Sequence, residues 1–251
     1  MRTSLSAGFC LFAALLLAAA TVVADEPPKK AVELFAQRAS TALFGQAMRE
    51  FDIFYSKHEP DYDKALFLAR AYFYHGERYG IANPKKAVSS HNLGVKWADY
   101  ALGKKPDDYA ASFYSILCRQ RAGTLKTKVE SVEAFKKAKD SFEPLAEKHP
   151  DKSLALRALG ELYREAPDWP VGYRDLDKSE KLLAKAFKLS PEDPETALEY
   201  ARTLIVNKKF SEARGILTRI DSQKDEQGWE VEAGLAKQAA KEELKKIRGK
   251  F

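Results

Sequence analysis

The chain has 251 residues, 45% of them apolar and 31% charged, with only 13 glycines and 11 prolines. That is enough apolar material for a sizeable core and too much for general disorder, and the sparse glycine and proline exclude collagen-like and low-complexity classes. The formal net charge of +6 comes from short basic pairs spread among acids, the pattern of a solvated helical surface rather than of a nucleic-acid-binding tract, so no nucleic-acid partner is expected.

Residues 1–24 read as a signal peptide. Arg2 precedes an uncharged apolar run from Ala7 to Ala24 that ends in Val22-Val23-Ala24, side chains a signal peptidase accepts. This predicts an exported protein, periplasmic or secreted, that either begins at Asp25 when mature or is tethered by an uncleaved N-terminal helix. No second stretch approaches the roughly 20 apolar residues a bilayer crossing needs, so no transmembrane span is expected in the mature chain. Cys10 follows Phe9 and lacks the small preceding residue of a lipid-attachment site. Only Cys118 then remains, and no intrachain disulfide is possible.

From residue 25 to 58 the spacing of Val32, Phe35, Ala39 and Ala42, then Leu43, Ala47, Phe51 and Phe54, predicts a flanking region of one long helix or two broken near Gly45. Beyond it, turns pairing proline with an acid recur as Pro60-Asp61, Pro106-Asp107-Asp108, Pro150-Asp151 and Pro191-Glu192-Asp193, spaced by 46, 44 and 41 residues. Each reads as a helix stop followed by acids suited to the first turn of the next helix. They divide residues 59–225 into units 61–106, 107–150, 151–191 and 194–225, each a helix pair.

The first helix of each pair carries a small residue between apolar ones, at Ala69, Ser115, Gly160 and Ala201; the second does so at Gly94, Ala138, Ser179 and Ala213. Two antiparallel helices pack closely only where their crossing point carries no bulky side chain. The crossing residues are 25, 23, 19 and 12 positions apart, which predicts insertions of 13, 11 and 7 residues in the first three units relative to the fourth. Turn-forming residues fall within those insertions, at Gly76, Gly80 and Pro84, at Gly123, and at Pro167, Pro170 and Gly172, and all three should emerge on one side of the stack. A last amphipathic stripe, Trp229, Ala233, Ala236, Ala240, Leu244 and Ile247, predicts a capping helix within 226–251.

These residues resemble the tetratricopeptide repeat, whose unit has small residues where its two helices cross and a proline near its end. The resemblance implies an all-α, right-handed helical solenoid of about four pairs with long intra-repeat insertions and N- and C-terminal flanking helices. More narrowly, Trp97-Ala98-Asp99-Tyr100-Ala101-Leu102 with Pro106 to Ala111, and Ala158 to Pro167 with Pro170, Gly172 and Ser190 to Asp193, are similar to the T component of tripartite ATP-independent periplasmic (TRAP) transporters. That resemblance implies an accessory protein offering a pore or groove to an organic-acid or hydrophobic ligand.

Catalysis finds little support. The four histidines, His58, His75, His91 and His149, form no metal-ligand spacing, and no nucleophile elbow, P-loop or dinucleotide fingerprint occurs, so neither a cofactor nor a metal is expected. The better candidate is the concave wall, which in a tetratricopeptide stack is lined mainly by the first helix of each pair. Carried onto this chain, its slots include Arg70, Arg119, Arg157, Arg164 and Arg202, with Phe73 among the apolar neighbours. Guanidinium groups form planar paired hydrogen bonds to carboxylates and are weakly hydrated, which suits a protein partner with an acidic peptide or a small organic acid. The competing reading makes these arginines solvated intrahelical partners, as Arg157 and Glu161 at i and i+4 suggest. Trp169, on a loop between two prolines and a glycine, is either a rigid recognition edge or a seal on the end of its helix pair.

Overall fold

A computed structural model describes residues 26–223 and 225–250, and among these every regular element is helical. The signal segment lies outside the described residues; no described helix is long and apolar enough to cross a membrane. Two helices open the fold, α1 (Lys29–Ala36) and α2 (Thr41–Tyr55). The break falls at 37–40, where Ser40 caps α2, and not at Gly45, which is buried inside α2 beside the Tyr79 hydroxyl.

Four pairs follow: α3 (Tyr62–Tyr79) with α4 (Pro84–Lys104), α5 (Tyr109–Thr124) with α6 (Lys128–Lys148), α7 (Ser153–Glu165) with α8 (Leu176–Leu189), and α9 (Pro194–Val206) with α10 (Phe210–Ile220). A final helix, α11 (Glu230–Lys246), closes the order. Three of the four proline–acid turns supply the cap of the next helix: Asp61, Asp108 and Asp193 accept hydrogen bonds from Lys64, Ala111 and Thr196 backbone N–H groups. Before α7 the capping position is Lys152, which makes no side-chain cap, so Pro150-Asp151 acts there as a stop only.

The crossing residues are buried as the pattern requires. A Cβ on Gly94 would stand 3.3 Å from the Ala69 carbonyl oxygen and 2.6 Å from Cys118 Sγ, one on Gly160 would lie 2.4 Å from Leu183 Cγ, and the Ser179 hydroxyl donates to the Gly160 carbonyl at 2.7 Å. Ala201 and Ala213 are both fully buried. The expected insertions take two forms. In the first two pairs the extra residues lengthen the helices, leaving connections of only 80–83 and 125–127, because Gly76 and Gly123 sit at close helix approaches against His91 and Ala134 rather than in turns. Only the third pair has a long connection, 166–175.

Candidate functional site

The first helices of the pairs, α3, α5, α7 and α9, form the inner wall, and α11 lies across it. Between them is a cleft of about 430 Å³. Tyr74 of α3 donates from its hydroxyl to Glu195 of α9 at 2.8 Å, and Arg38, between α1 and α2, holds Glu232 of α11 through Nε at 3.0 Å and Nη2 at 2.7 Å, so the two ends of the solenoid meet. Trp229, just before α11, packs edge-on against Phe35 and tilted against Phe67 and Tyr74.

The structure brings four of the sequence-predicted residues to this cleft and its mouth. Phe73, Arg157 and Arg202 line it, and Arg70 stands in an adjoining pocket of about 230 Å³ with Tyr74, Tyr114, Glu226 and Trp229. Arg164 is buried two turns beyond Arg157 on α7, donating to the Glu199 carbonyl and carboxylate. Arg119 lies elsewhere: it faces α4 and pairs with Asp99 at 2.5 Å beside a separate groove between α5 and α6. Two residues on, Arg121 takes the inward position. Trp169 is also apart from the cleft, 85% exposed on the 166–175 connection.

None of the inward arginines faces an empty wall. Arg157 Nη1 is 2.9 Å from Glu195 and 3.2 Å from Asp193, Arg121 Nη2 is 3.1 Å from Glu161, and Arg202 Nη1 is 2.6 Å from Glu199. Five glutamates, Glu77, Glu161, Glu195, Glu199 and Glu232, line the cleft beside three arginines, so its floor is a charge-matched network with an acidic surplus. Burial, and after it the Glu199 carboxylate, pushes the Glu161 pKa up to about 7. Burial pushes Glu77 upward too, but the Arg121 guanidinium and His91 outweigh it and hold its carboxyl below the ordinary range. Glu161, Glu165 and Glu199 bring carboxylate oxygens within 4.8 Å of one another, yet Arg121, Arg164 and Arg202 already thread that cluster, which is poor chemistry for a cation.

Arg70 is different in kind. Its two terminal nitrogens grip the two carboxylate oxygens of Glu226 at 2.6 Å each, and the guanidinium lies 3.9 Å over the Trp229 ring. The Glu226 side chain is itself 62% exposed, so this fork is at the mouth and open to exchange. Glu77, Glu195, Glu199, Glu232, Tyr74 and Arg38 leave no local signal in the sequence because their partners lie far along the chain; only Glu161, four residues from Arg157, and Trp229, in the C-terminal stripe, are legible there.

Residues 172–237, spanning α8 to α10 and the start of α11, match the family model described as tetratricopeptide repeat. No curated protein matches the chain. Among solved structures, a thermophilic tetratricopeptide protein of Thermus thermophilus is similar with a TM-score of 0.58 at 13% identity, over 84% of this chain and 97% of that one. MamA of Desulfovibrio magneticus gives 0.37 at 19% identity, over 79% and 97%; yeast Tom70 gives 0.27 at 12%, over 83% and 61%. These matches do not support the narrower resemblance to TRAP T components. The chain folds as a tetratricopeptide-like helical solenoid, and its residues 172–237 carry the match to the tetratricopeptide repeat family.

Proposed function

We propose that the chain is a non-enzymatic, exported interaction module whose concave mouth recognises acidic segments of a protein partner. The observation that carries this reading is the Arg70 fork: a concave-wall arginine that binds a carboxylate in two parallel hydrogen bonds above an aromatic face, the arrangement expected of acidic-peptide recognition, occupied here by the chain's own Glu226. Arg157, Arg164 and Arg202 support the wall through their glutamate pairs, and Phe73 adds apolar contact.

The test is fluorescence anisotropy with a labelled peptide carrying residues 225–232. Arg70→Ala should weaken binding roughly tenfold or more, as loss of a charge-assisted pair does, and Glu226→Gln, which loosens the resident occupant, should tighten it. Unchanged affinity in both variants overturns the reading. A second reading, a T-component-like accessory for a small organic acid or hydrophobic ligand, draws on the cleft volume, which falls within the range of small-molecule sites, and on Phe73, Leu198 and Leu235 in its wall. It requires that a small carboxylic acid, and not the peptide, be held in an Arg202-dependent manner.

A further inference from the structure

Up-and-down pairing sorts the connections of the solenoid onto two edges. Connections within pairs, 80–83, 125–127, 166–175 and 207–209, share one edge; connections between pairs, 56–61, 105–108, 149–152 and 190–193, share the other. The first set carries four Lys and Arg against two Asp, the second three against seven Asp and Glu. Lys85, Lys86 and Lys128 add exposed positive charge in the first helical turns that rise from the first edge.

Apolar exposure is divided the same way. The three most exposed large hydrophobic side chains among the described residues are Ile81 at 89%, Trp169 at 85% and Val129 at 77%, each at a different connection of the basic edge, and Val171 and Val206 stand beside them. Near the acidic edge Ile53 and Leu189 reach only 59% and 40%. Single exposed hydrophobics are ordinary on a protein surface; the three most exposed gathered on one edge among lysines are not. The other two tryptophans, Trp97 and Trp229, are buried. Trp169 is held outward by an ordered loop: Tyr173 donates to the Phe135 carbonyl at 2.7 Å, Gly172 N to Asp168 O at 3.0 Å, and Asp175 N to Tyr163 O at 2.9 Å.

We propose that this basic edge docks on an anionic lipid surface, inserting Ile81, Val129 and Trp169 at the headgroup boundary while Lys85, Lys86, Lys128 and Lys208 meet the lipid charge. Tryptophan favours the interface because its ring has an apolar body and a polar tip, and lysines near an anionic leaflet add attraction residue by residue. Three separated protrusions suit a fluid surface, which yields around each one, better than a protein, which would need a contiguous complementary patch. Asp177 and Glu212 also stand exposed in these first turns, while Asp168 lies 3.9 Å from Arg174 and Glu130 lies 3.7 Å from Lys126; the connections themselves keep their four-to-two basic excess. This inference is independent of the concave mouth.

Trp169 supplies its own reporter. Mixed with vesicles of phosphatidylcholine and phosphatidylglycerol, the full chain should show a blue-shifted tryptophan emission that brominated acyl chains quench, and vesicles of phosphatidylcholine alone should produce much less. Trp169→Phe should abolish the change, since the remaining two tryptophans are already buried, and Lys85→Glu with Lys128→Glu should weaken vesicle partitioning roughly tenfold or more. Emission unchanged by anionic vesicles, an equal response to neutral ones, or a response that survives Trp169→Phe each overturns the proposal, the last by assigning membrane contact to another part of the chain. Salt-insensitive pull-down of a protein through Trp169 without any vesicle response does so in favour of a protein partner.

Discussion

Glu161 stands in α7 between Arg121 of α5, Arg157 on its own helix and Glu199 of α9, and its carboxyl titrates near 7 because burial, then Glu199, outweighs the two arginines. The sign of its effect on stability follows from linkage. A carboxyl whose folded pKa lies above its unfolded one binds more protons in the native state, so stability declines as pH rises from the ordinary value of 4.5 through 7 and is regained as pH falls. Glu161→Gln removes that titration. Its thermal midpoint should therefore gain on the wild type between pH 5 and pH 8, whatever constant offset the substitution brings, and a difference that stays flat across this range would show that Glu161 ionises normally in the fold. His75 works in the opposite direction: burial, then Arg49 and His91, lowers it to about 4, so it favours the folded state less as pH falls below 6.5. Comparing variant with wild type at each pH cancels that contribution.

At the scale of the helix pair, the decisive quantity is the distance available at each crossing. Gly160→Ala would place a methyl 2.4 Å from Leu183 Cγ, and Leu183 is fully buried with no room to retreat, so the substitution should cost about 1–3 kcal/mol in urea unfolding. Gly103→Ala, in α4, meets nothing within 4 Å and should stabilise by about 0.5–1 kcal/mol through helix propensity. Equal effects in both would mean that close approach does not govern this pair. The contrast also shows why the solenoid was legible in the sequence: Ala69, Gly94, Gly160, Ser179, Ala201 and Ala213 record the crossing in residue size, and Pro60-Asp61, Pro106 to Asp108 and Pro191 to Asp193 record the helix boundaries. Gly76 and Gly123 were read as turns because size alone does not distinguish a turn from a tight helix contact. The wall was only half legible for the same reason. Repeat spacing points to Arg70, Arg157 and Arg202, but the rotation of α5, which turns Arg119 toward Asp99 and Arg121 inward, depends on how it packs on α4 and leaves no mark in spacing.

At the scale of the molecule, a helical solenoid ordinarily touches only its neighbours in sequence, and its ends are independent. Here the apolar core has two parts, one running from α1 into the third pair and a second on α9, α10 and α11. Between the third and fourth pairs the seam is rich in polar contacts: the Arg157–Asp193 and Arg164–Glu199 ion pairs reach from α7 to α9 and its cap, and the Ser179 hydroxyl of α8 lies 3.2 Å from that of Thr203 in α9, beside the Phe187–Tyr200 ring contact. What joins the far ends is the closure by Arg38, Glu232 and Trp229, in which both charged side chains are 3% exposed and Arg38 also donates to the Gly228 carbonyl at 2.6 Å. α11 packs on α9 and α10 through Ala236, Ala240 and the Ile247 that follows it, so the buried Arg38–Glu232 pair is the link that holds this second core against α1 and α2. Arg38→Ala leaves the Glu232 carboxylate buried without its partner, a loss of about 3–5 kcal/mol, and that loss falls first on the closure rather than on the continuous core of the first three pairs. Hydrogen exchange should therefore accelerate in 230–246 and in 29–36 while α4 and α6 keep their protection, and the Arg70–Glu226 mouth should open with them. Exchange that rises uniformly from α1 to α11 would make the solenoid one cooperative unit in which the closure has no separate role.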